Sequence, residues 1–264
     1  MTRETRRLRP TRPRAQCPGR RDEALRCYDQ ALAIDPRDAA VWNNKGLVLA
    51  DLGRRDEALR CYDQALAIDP RFAKAWNNKG NALAHLGRRG EAISCYDQAL
   101  AIDPRYAAAW GNKGNALADL GRPEETIGCY DQALAIDPRD AKAWYNKGNA
   151  LADLGRRAEA IGCCDQALAI DPRYAKAWIT KGVALAALGR REEGLRCYDQ
   201  ALAIDPRHAA AWYNKGNSLA ALGRRREAAL SYRKFIELAP PEYAQQIAHA
   251  RQQLQELESK EVNG

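Results

Sequence analysis

The chain has 264 residues, of which 46% are hydrophobic, and this is enough apolar material for a buried core rather than a disordered chain. The net charge of +8 is unevenly distributed, because residues 1–20 contain seven Arg and one Glu and so account for +6 of it. The other 244 residues carry only +2, which argues against a basic nucleic-acid-binding core.

The eight Cys do not suggest a disulfide framework, because such frameworks belong to short secreted domains and the N-terminus has no apolar signal sequence. No apolar run approaches the ~18–20 residues that a membrane span requires. An Arg-rich organellar presequence is an alternative, but Pro10, Pro13 and Pro18 disfavour the amphipathic helix that it needs. The sequence therefore predicts a cytoplasmic protein.

The basic segment 1–20 is expected to be a disordered tail, and a half repeat follows it at 21–38. The half repeat contains one predicted helix, 21–34, whose apolar face is intact. Its expected partner helix at 5–18 is replaced by Arg- and Pro-rich sequence, so this face is expected to be partly open. Two explanations stay open: a misassigned or truncated start, or a self-association surface at this end.

From residue 39 to residue 242 the sequence repeats with a period of 34 residues. One Trp marks each period, and the series is Trp42, Trp76, Trp110, Trp144, Trp178 and Trp212. A Gly follows each Trp by four residues, a second Gly follows it by eleven, and an Asp-Pro pair closes most periods. A fixed period in this range is typical of solenoid proteins, whose repeats stack on their neighbours.

Each repeat is predicted to contain two helices. In the first repeat, residues 39–52 are rich in the helix formers Ala and Leu, and Gly53 can take the left-handed conformation that ends a helix. A second helix is predicted at 55–68, where Asp69-Pro70 stops it because proline has no amide hydrogen. The six predicted hairpins are 39–72, 73–106, 107–140, 141–174, 175–208 and 209–242.

A last helix is predicted at 242–258, after two consecutive prolines. Its apolar residues lie on one side and are Ile247, Ala250, Leu254 and Leu257. We expect this helix to cap the open end of the last repeat, since solenoids need a terminal element with a polar outer face.

This repeat resembles the tetratricopeptide repeat (TPR) family. The repeat 73–106 has the family's residues at the expected offsets, namely Trp76, Gly80, Leu83, Gly87, Ala92, Tyr96, Ala99 and Pro104. The resemblance implies an all-α fold, a right-handed superhelical α-solenoid of stacked helix-turn-helix hairpins. Departures from the pattern are expected to perturb packing locally, and they are Thr126, Cys164, Gly194 and Phe235.

The residues that recur in every period are interpreted as packing residues. The Trp series is expected to fill the core, and the Cys series (Cys61 and its counterparts) lies on the apolar half of the second helix, where Cys acts as a small hydrophobe. The recurring Lys, such as Lys79, falls among apolar neighbours and needs an acidic or solvent partner that the sequence does not identify.

Motifs for nucleotide binding, serine hydrolysis or zinc hydrolysis are missing, and the three His lack Cys or carboxylate partners. The sequence therefore predicts no catalytic residue, no metal site and no cofactor, and the chain is not expected to be an enzyme.

The candidate binding surface is a polar stripe on the first helix of each repeat, at offsets −2, +1, +2, +5 and +9 from the Trp. In the TPR family these offsets line the concave groove. Asn dominates offsets +2 and +5, and the series is Asn44, Asn78, Asn81, Asn112, Asn115, Asn146, Asn149, Asn214 and Asn217. It resembles the asparagine ladder in the repeat region of O-linked GlcNAc transferase, where amides hold a partner's extended backbone.

An Asn amide both donates and accepts hydrogen bonds, so it can pair with any peptide unit. The alternative is that these Asn are solvated copies of one duplicated repeat. Positions where the copies differ are therefore more informative: Tyr145, Ile179 and Tyr213 at offset +1, with Val183 at offset +5, predict a pocket for an apolar side chain.

The leading hypothesis is a protein–protein interaction scaffold that binds an extended peptide or partner segment in the groove. An alternative is the regulatory or substrate-recruiting repeat region of a larger enzyme system, such as a glycosyltransferase, although the array leaves no room here for a catalytic domain. A further alternative is nucleic-acid binding through the Arg-rich tail, although mixed charges on the stripe do not suit a phosphate backbone. No membrane partner is predicted.

Overall fold

The computed structural model describes residues 18–262, and these residues form helices and no strand. Contacts divide the chain into two compact units, one ending at Pro104 and one beginning at Arg105. The helices of the N-terminal unit are α1 (Pro18–Ile34), α2 (Ala39–Asp51), α3 (Arg55–Ile68), α4 (Ala73–His85) and α5 (Arg89–Ile102). The predicted disordered tail lies largely in residues 1–17, outside the described residues. The alternative of nucleic-acid binding through this tail therefore also concerns residues that the structure does not describe.

The C-terminal unit continues the same alternation of helices. They are α6 (Ala107–Asp119), α7 (Pro123–Ile136), α8 (Ala141–Asp153), α9 (Arg157–Ile170), α10 (Ala175–Ala187), α11 (Arg191–Ile204), α12 (Ala209–Ala221), α13 (Arg225–Leu238) and α14 (Ala244–Val262). Within each unit, every helix packs on the next one in the chain. The predicted all-α architecture of consecutive helical hairpins is therefore confirmed.

Two local devices define each hairpin. At the turn between α2 and α3, Gly53 has a φ of +78°, the left-handed conformation in which an L side chain is strained. At the end of α3, the Asp69 carboxylate accepts a hydrogen bond from the Arg71 amide at 2.9 Å, and the Pro70 carbonyl accepts one from the Trp76 indole at 3.0 Å. The recurring Trp therefore fixes the loop that leads into its own helix.

In five of the six hairpins the Tyr of the second helix is almost fully buried, whereas the Trp is only half-buried; Cys164 replaces this Tyr in the hairpin 141–174. Tyr96 is 1% exposed and lies against Gly80, where an added Cβ would stand 2.6 Å from the ring. The expectation that the Trp fills the core is thus corrected: its ring packs on a buried cluster at one side, while its indole N–H serves the Asp-Pro loop. The Gly at offset +4 is required because the Tyr ring occupies its side-chain space.

Helix α1 corresponds in sequence to the second helix of a hairpin, and it is less buried than the second helix α3 of the following hairpin. Cys27 is exposed and Tyr28 is half-buried, whereas Cys61 and Tyr62 at the equivalent positions of α3 are both buried. The position predicted for a helix that would cover this face falls in residues 5–18, almost all outside the described residues.

At the other end, α14 packs on α13, and its Ala250 is fully buried. Phe235, which replaces the Ala of the other repeats, is fully buried beneath it and contacts the rings of Tyr213 and Tyr243. The departure from the repeat at Phe235 therefore provides the apolar surface that holds the last helix. No helix among the described residues is both long and apolar enough to cross a membrane.

Candidate functional site

The candidate surface is formed by the first helices of the hairpins. In the C-terminal unit, α6, α8, α10 and α12 are neighbours in that order, and in the N-terminal unit α2 neighbours α4. Residues at offsets +2 and +5 from the Trp are only partly buried in the C-terminal unit, and Val183 is exposed. Adjacent first helices therefore present these side chains in a continuous row within that unit.

The amides of this row are hydrogen-bonded to one another across consecutive helices. The Asn146 Nδ2 group on α8 donates to the Asn115 Oδ1 atom on α6 at 3.0 Å, and the Thr180 hydroxyl on α10 donates to the Asn149 Oδ1 atom at 3.0 Å. Each bond joins offset +2 of one repeat to offset +5 of the preceding repeat. The Asn side chains are thus held in fixed orientations.

A buried Tyr anchors the row from below. The Tyr130 hydroxyl donates to the Asn115 Oδ1 atom at 2.7 Å, and Tyr232 makes the same bond to Asn217 at 2.9 Å. Burial raises the pKa of Tyr130 well above its ordinary value, so the phenol stays protonated and remains a donor. Because Asn115 receives two hydrogen bonds on its oxygen, its Nδ2 group remains turned to other partners.

The N-terminal unit shows a variant of the same arrangement. The Tyr96 hydroxyl donates to the Asn81 Oδ1 atom at 2.8 Å, and the Asn78 Nδ2 group donates to Asn43 Oδ1 at 2.9 Å. Asn43 is the acceptor of this hydrogen bond because its repeat has Leu47, not Asn, at offset +5. Asn44 is partly buried, and its oxygen lies 3.4 Å from the Asn43 amide. Asn112 of the C-terminal unit is also partly buried and has interactions of its own.

Offset +1 is less open than the sequence predicts at three of its six positions, whereas Tyr145 and Tyr213 are partly buried. Asn43 and Asn77 are buried, and Ile179 is 9% exposed, since Ile179 packs against Ala211 of the next hairpin. Tyr145 packs against Tyr174 with ring centroids 4.9 Å apart, and Tyr213 packs against Phe235 and donates or accepts a hydrogen bond at His249 Nδ1 (3.1 Å).

The structure therefore does not bring Tyr145, Ile179 and Tyr213 into one open apolar patch. Each belongs to a different buried cluster between successive hairpins or beneath α14. Tyr213 packs over Phe235, which replaces the Ala of the other repeats. Ile179 also lines an open cavity together with Val183.

That cavity lies between α8 and α10 and measures about 530 Å³. Val183, 43% exposed, lines it together with Asn149, Thr180 and Ala187. A second cavity of about 310 Å³ lies between α6 and α8, and its lining includes the amides of Asn115 and Asn149. The two cavities share Asn149 and so form adjacent recesses along the row.

The amide row is interrupted at Val183. By the register seen at Asn146 and Asn115, Asn214 on α12 would pair with offset +5 of the preceding repeat, which is Val183. Among the described residues, the Asn214 side chain makes no hydrogen bond. The structure thus gives Asn214 an amide without an internal partner, next to the apolar departure.

The partner of the recurring Lys, unidentified from the sequence, is an Asp sixteen residues earlier. The Lys79 Nζ atom lies 2.7 Å from an Asp63 carboxylate oxygen, and it also lies 5.4 Å from the centre of the Trp76 ring. The same pair recurs at Lys45–Asp29, Lys147–Asp131, Lys181–Asp165 and Lys215–Asp199. The constant Asp in every second helix was the sequence signal for this pairing. It places the Lys in a structural role.

No group of three or more potential metal-binding side chains occurs in the described part of the chain. Burial raises the pKa of the thiols of Cys61, Cys95, Cys163 and Cys197, which keeps them in the unreactive neutral form. These thiols therefore contribute packing on the second helices.

Solved structures with the same fold include two TPR proteins that each match only part of this chain. YrrB, described as a TPR protein with an unusual peptide-binding site, is 26% identical with a TM-score of 0.62, and the match covers 72% of this chain and 98% of YrrB. MamA is 25% identical with a TM-score of 0.57, covering 60% of this chain and 92% of MamA. PilF from Pseudomonas aeruginosa is 20% identical with a TM-score of 0.68, covering 91% and 99%.

A search of curated proteins gives no significant match. A family model described as tetratricopeptide repeat matches residues 46–107, 86–135, 112–175 and 179–243. A second model, described as TPR repeat, matches residues 19–53. These matches span most of the chain and carry the Trp, Gly and Tyr positions whose packing is described above. The chain belongs to the tetratricopeptide repeat family.

Proposed function

We propose that this chain is a protein-interaction scaffold that binds an extended peptide segment of its partner along the first helices of the C-terminal unit. Membership of the TPR family supports the scaffold role, and YrrB offers a TPR precedent with a peptide-binding site. The observation that carries the proposal is the row of hydrogen-bonded side chains formed by the amides on α6 and α8 and the Thr180 hydroxyl on α10.

The row suits a peptide backbone because its unused hydrogen-bonding groups alternate. Asn115 uses its oxygen internally and presents Nδ2 as a donor, whereas Asn146 uses its Nδ2 group and presents its oxygen as an acceptor. A peptide backbone needs both. Since the side chains are already ordered by their internal bonds, less conformational entropy is lost when a peptide binds.

A single hydrogen bond of this kind contributes only about 0.5–1.5 kcal/mol, so affinity depends on repetition along the row. Binding should therefore weaken in steps as amides are removed. It should also tolerate changes of the peptide's side chains where only its backbone is held.

The test is selection of peptides from a displayed library of random twelve-residue sequences against the full chain. Selected peptides are then titrated by fluorescence polarisation against wild type and an Asn115→Ala/Asn146→Ala variant. We expect the variant to bind at least tenfold more weakly. Circular dichroism establishes that it remains folded.

The matched control is a Gln132→Ala/Gln166→Ala variant, which removes two exposed amides from the second helices α7 and α9. It should bind like wild type. Equal affinity of the Asn variant and wild type, or an equal loss in the Gln control, would remove the amide row from the binding site.

A further inference from the structure

The cavity between α8 and α10 is the place where the first-helix surface departs most from the repeat. Offset +5 is Val183 where four repeats have Asn, and offset +9 is Ala187 where three repeats have Asp. Val183 is among the few large hydrophobic side chains that the described residues leave exposed. The floor of the cavity is formed by Ile179.

Thr180 adds to the apolar character of this cavity. It replaces the Asn of offset +2, and its hydroxyl is already bound to the Asn149 oxygen at 3.0 Å. The hydroxyl hydrogen is therefore already used within the protein, while the polar side chains of Asp153 and Arg157 line the cavity beside Val183 and Ala187. An aliphatic ligand group is favoured here because it removes the exposed surfaces of Val183 and Ala187 from water.

The neighbouring cavity between α6 and α8 has the opposite character. Its lining contains the carboxylates of Asp119 and Asp153, both on exposed residues, and contains no basic side chain. Asp153 forms no ion pair with any described residue. The same carboxylate also lines the first cavity, where Arg157 stands at the edge without pairing to it. The α6–α8 recess is therefore lined by acidic side chains and by no basic one, whereas the α8–α10 cavity is lined by Arg157 as well as Asp153.

We propose that the peptide bound on this surface carries an aliphatic side chain, which enters the α8–α10 cavity, and a Lys or Arg side chain, which enters the α6–α8 cavity. This inference rests on the proposed function and specifies the partner's sequence. Adjacent packed helices are about 8–10 Å apart, and extended chain advances about 3.3 Å per residue. The two side chains should therefore lie about two to four residues apart in the peptide.

The chain itself supplies a variant that tests the aliphatic contact. Val183→Asn introduces the residue type that other repeats have at the same offset, namely at Asn115, Asn149 and Asn217. We therefore expect the fold to tolerate this substitution. It would also give Asn214 the partner that Asn146 has. Peptides selected on wild type should be enriched in an aliphatic residue with Lys or Arg two to four positions away, and they should bind Val183→Asn at least fivefold more weakly.

The acidic contact is tested by Asp153→Asn, which keeps the shape of the side chain. The same peptides should bind this variant at least threefold more weakly at 0.05 M NaCl, and the difference should shrink at 0.5 M NaCl as screening increases. Controls are Leu230→Asn, an exposed aliphatic residue on α13, and Glu124→Gln, an exposed acid on α7; neither lines a cavity described above. Both should bind like wild type.

The outcomes separate the two proposals. If Asn115→Ala/Asn146→Ala weakens binding but Val183→Asn and Asp153→Asn do not, the amide row binds the backbone and the assignment of the two side chains is wrong. If selected peptides show neither residue preference, the assignment is equally overturned. If no selected peptide responds to the Asn variant, the proposed site itself is wrong.

Discussion

At the residue scale, the repeat is governed by one close approach in five of the six hairpins. The Gly at offset +4 of the first helix faces the Tyr of the second helix, and a Cβ added to Gly182 would lie 2.6 Å from the Tyr198 ring. In the repeat where Cys164 replaces that Tyr, a Cβ added to Gly148 would meet nothing closer than 3.3 Å. The same substitution should thus have different costs in two neighbouring repeats.

We predict that Gly182→Ala destabilises the protein by about 1–3 kcal/mol, because overpacking displaces a buried ring. Gly148→Ala should cost less, since its contacts are only tight and Ala gains about 1 kcal/mol over Gly in a helix interior. Urea denaturation followed by circular dichroism measures both. An equal loss in the two variants would contradict the role assigned to the Tyr.

The sequence predicts these packing residues well where they recur, and less well where they vary. The series of Trp, Gly and Tyr shows in the sequence which positions are packed, but helical periodicity alone did not distinguish the half-buried Trp from the fully buried Tyr. The sequence pattern predicts that offset +1 lies on the open polar stripe, because this prediction considers the first helix without its neighbours. Only packing against the next hairpin reveals that Ile179 is buried.

At the scale of elements, residues that pack between successive helical hairpins hold the hairpins together. One of these residues, Phe235, also holds the last helix, α14. Phe235 is buried between α13 and α14 and contacts the rings of Tyr213 and Tyr243. In the preceding repeat the same position is Ala201, which accommodates another hairpin. The Phe is therefore specific to a hairpin that is covered by a single helix.

Phe235→Ala should destabilise the protein by about 3–5 kcal/mol, as expected for removing a buried aromatic side chain. Because the loss falls beneath α14, amide hydrogen exchange in residues 244–262 should accelerate more than exchange in α6 or α8. The matched control is Phe72→Ala, a half-buried residue in the N-terminal unit, which should leave α14 unaffected. Unchanged exchange in α14 would show that Phe235 does not hold it.

Elements of the candidate site were predictable to different degrees. The positions of Asn115, Asn146 and Asn149 on the first helices followed from the period alone. Their hydrogen bonds to each other and to Tyr130 did not, because these depend on how one hairpin is displaced along the next. The row is therefore less free to bind than the sequence suggested, and each amide offers only part of its hydrogen-bonding capacity.

At the scale of the whole molecule, buried ionisable groups recur in every hairpin, so they act together on stability. Burial raises the pKa of Cys164 from 9.0 to about 12, and it raises the pKa values of Tyr62, Tyr96, Tyr130 and Tyr198 further. In the unfolded chain these groups lose their protons near ordinary values. The folded chain therefore binds more protons than the unfolded chain above about pH 9.

The sign of the effect follows from this difference. Stability is fully present below pH 9 and falls as the pH rises towards 12, because the unfolded state is favoured by releasing protons that the folded state retains. Each such group contributes a loss of up to about 1.4 kcal/mol per pH unit.

Urea midpoints of wild type should therefore be constant from pH 7 to 8.5 and decline steeply from pH 9 to 10.5. Cys164→Ala should show a shallower decline than wild type, although cavity formation lowers its midpoint at every pH. A flat profile to pH 10.5, or parallel declines for the two proteins, would contradict this account, since burial of the thiol is the feature that links it to the fold.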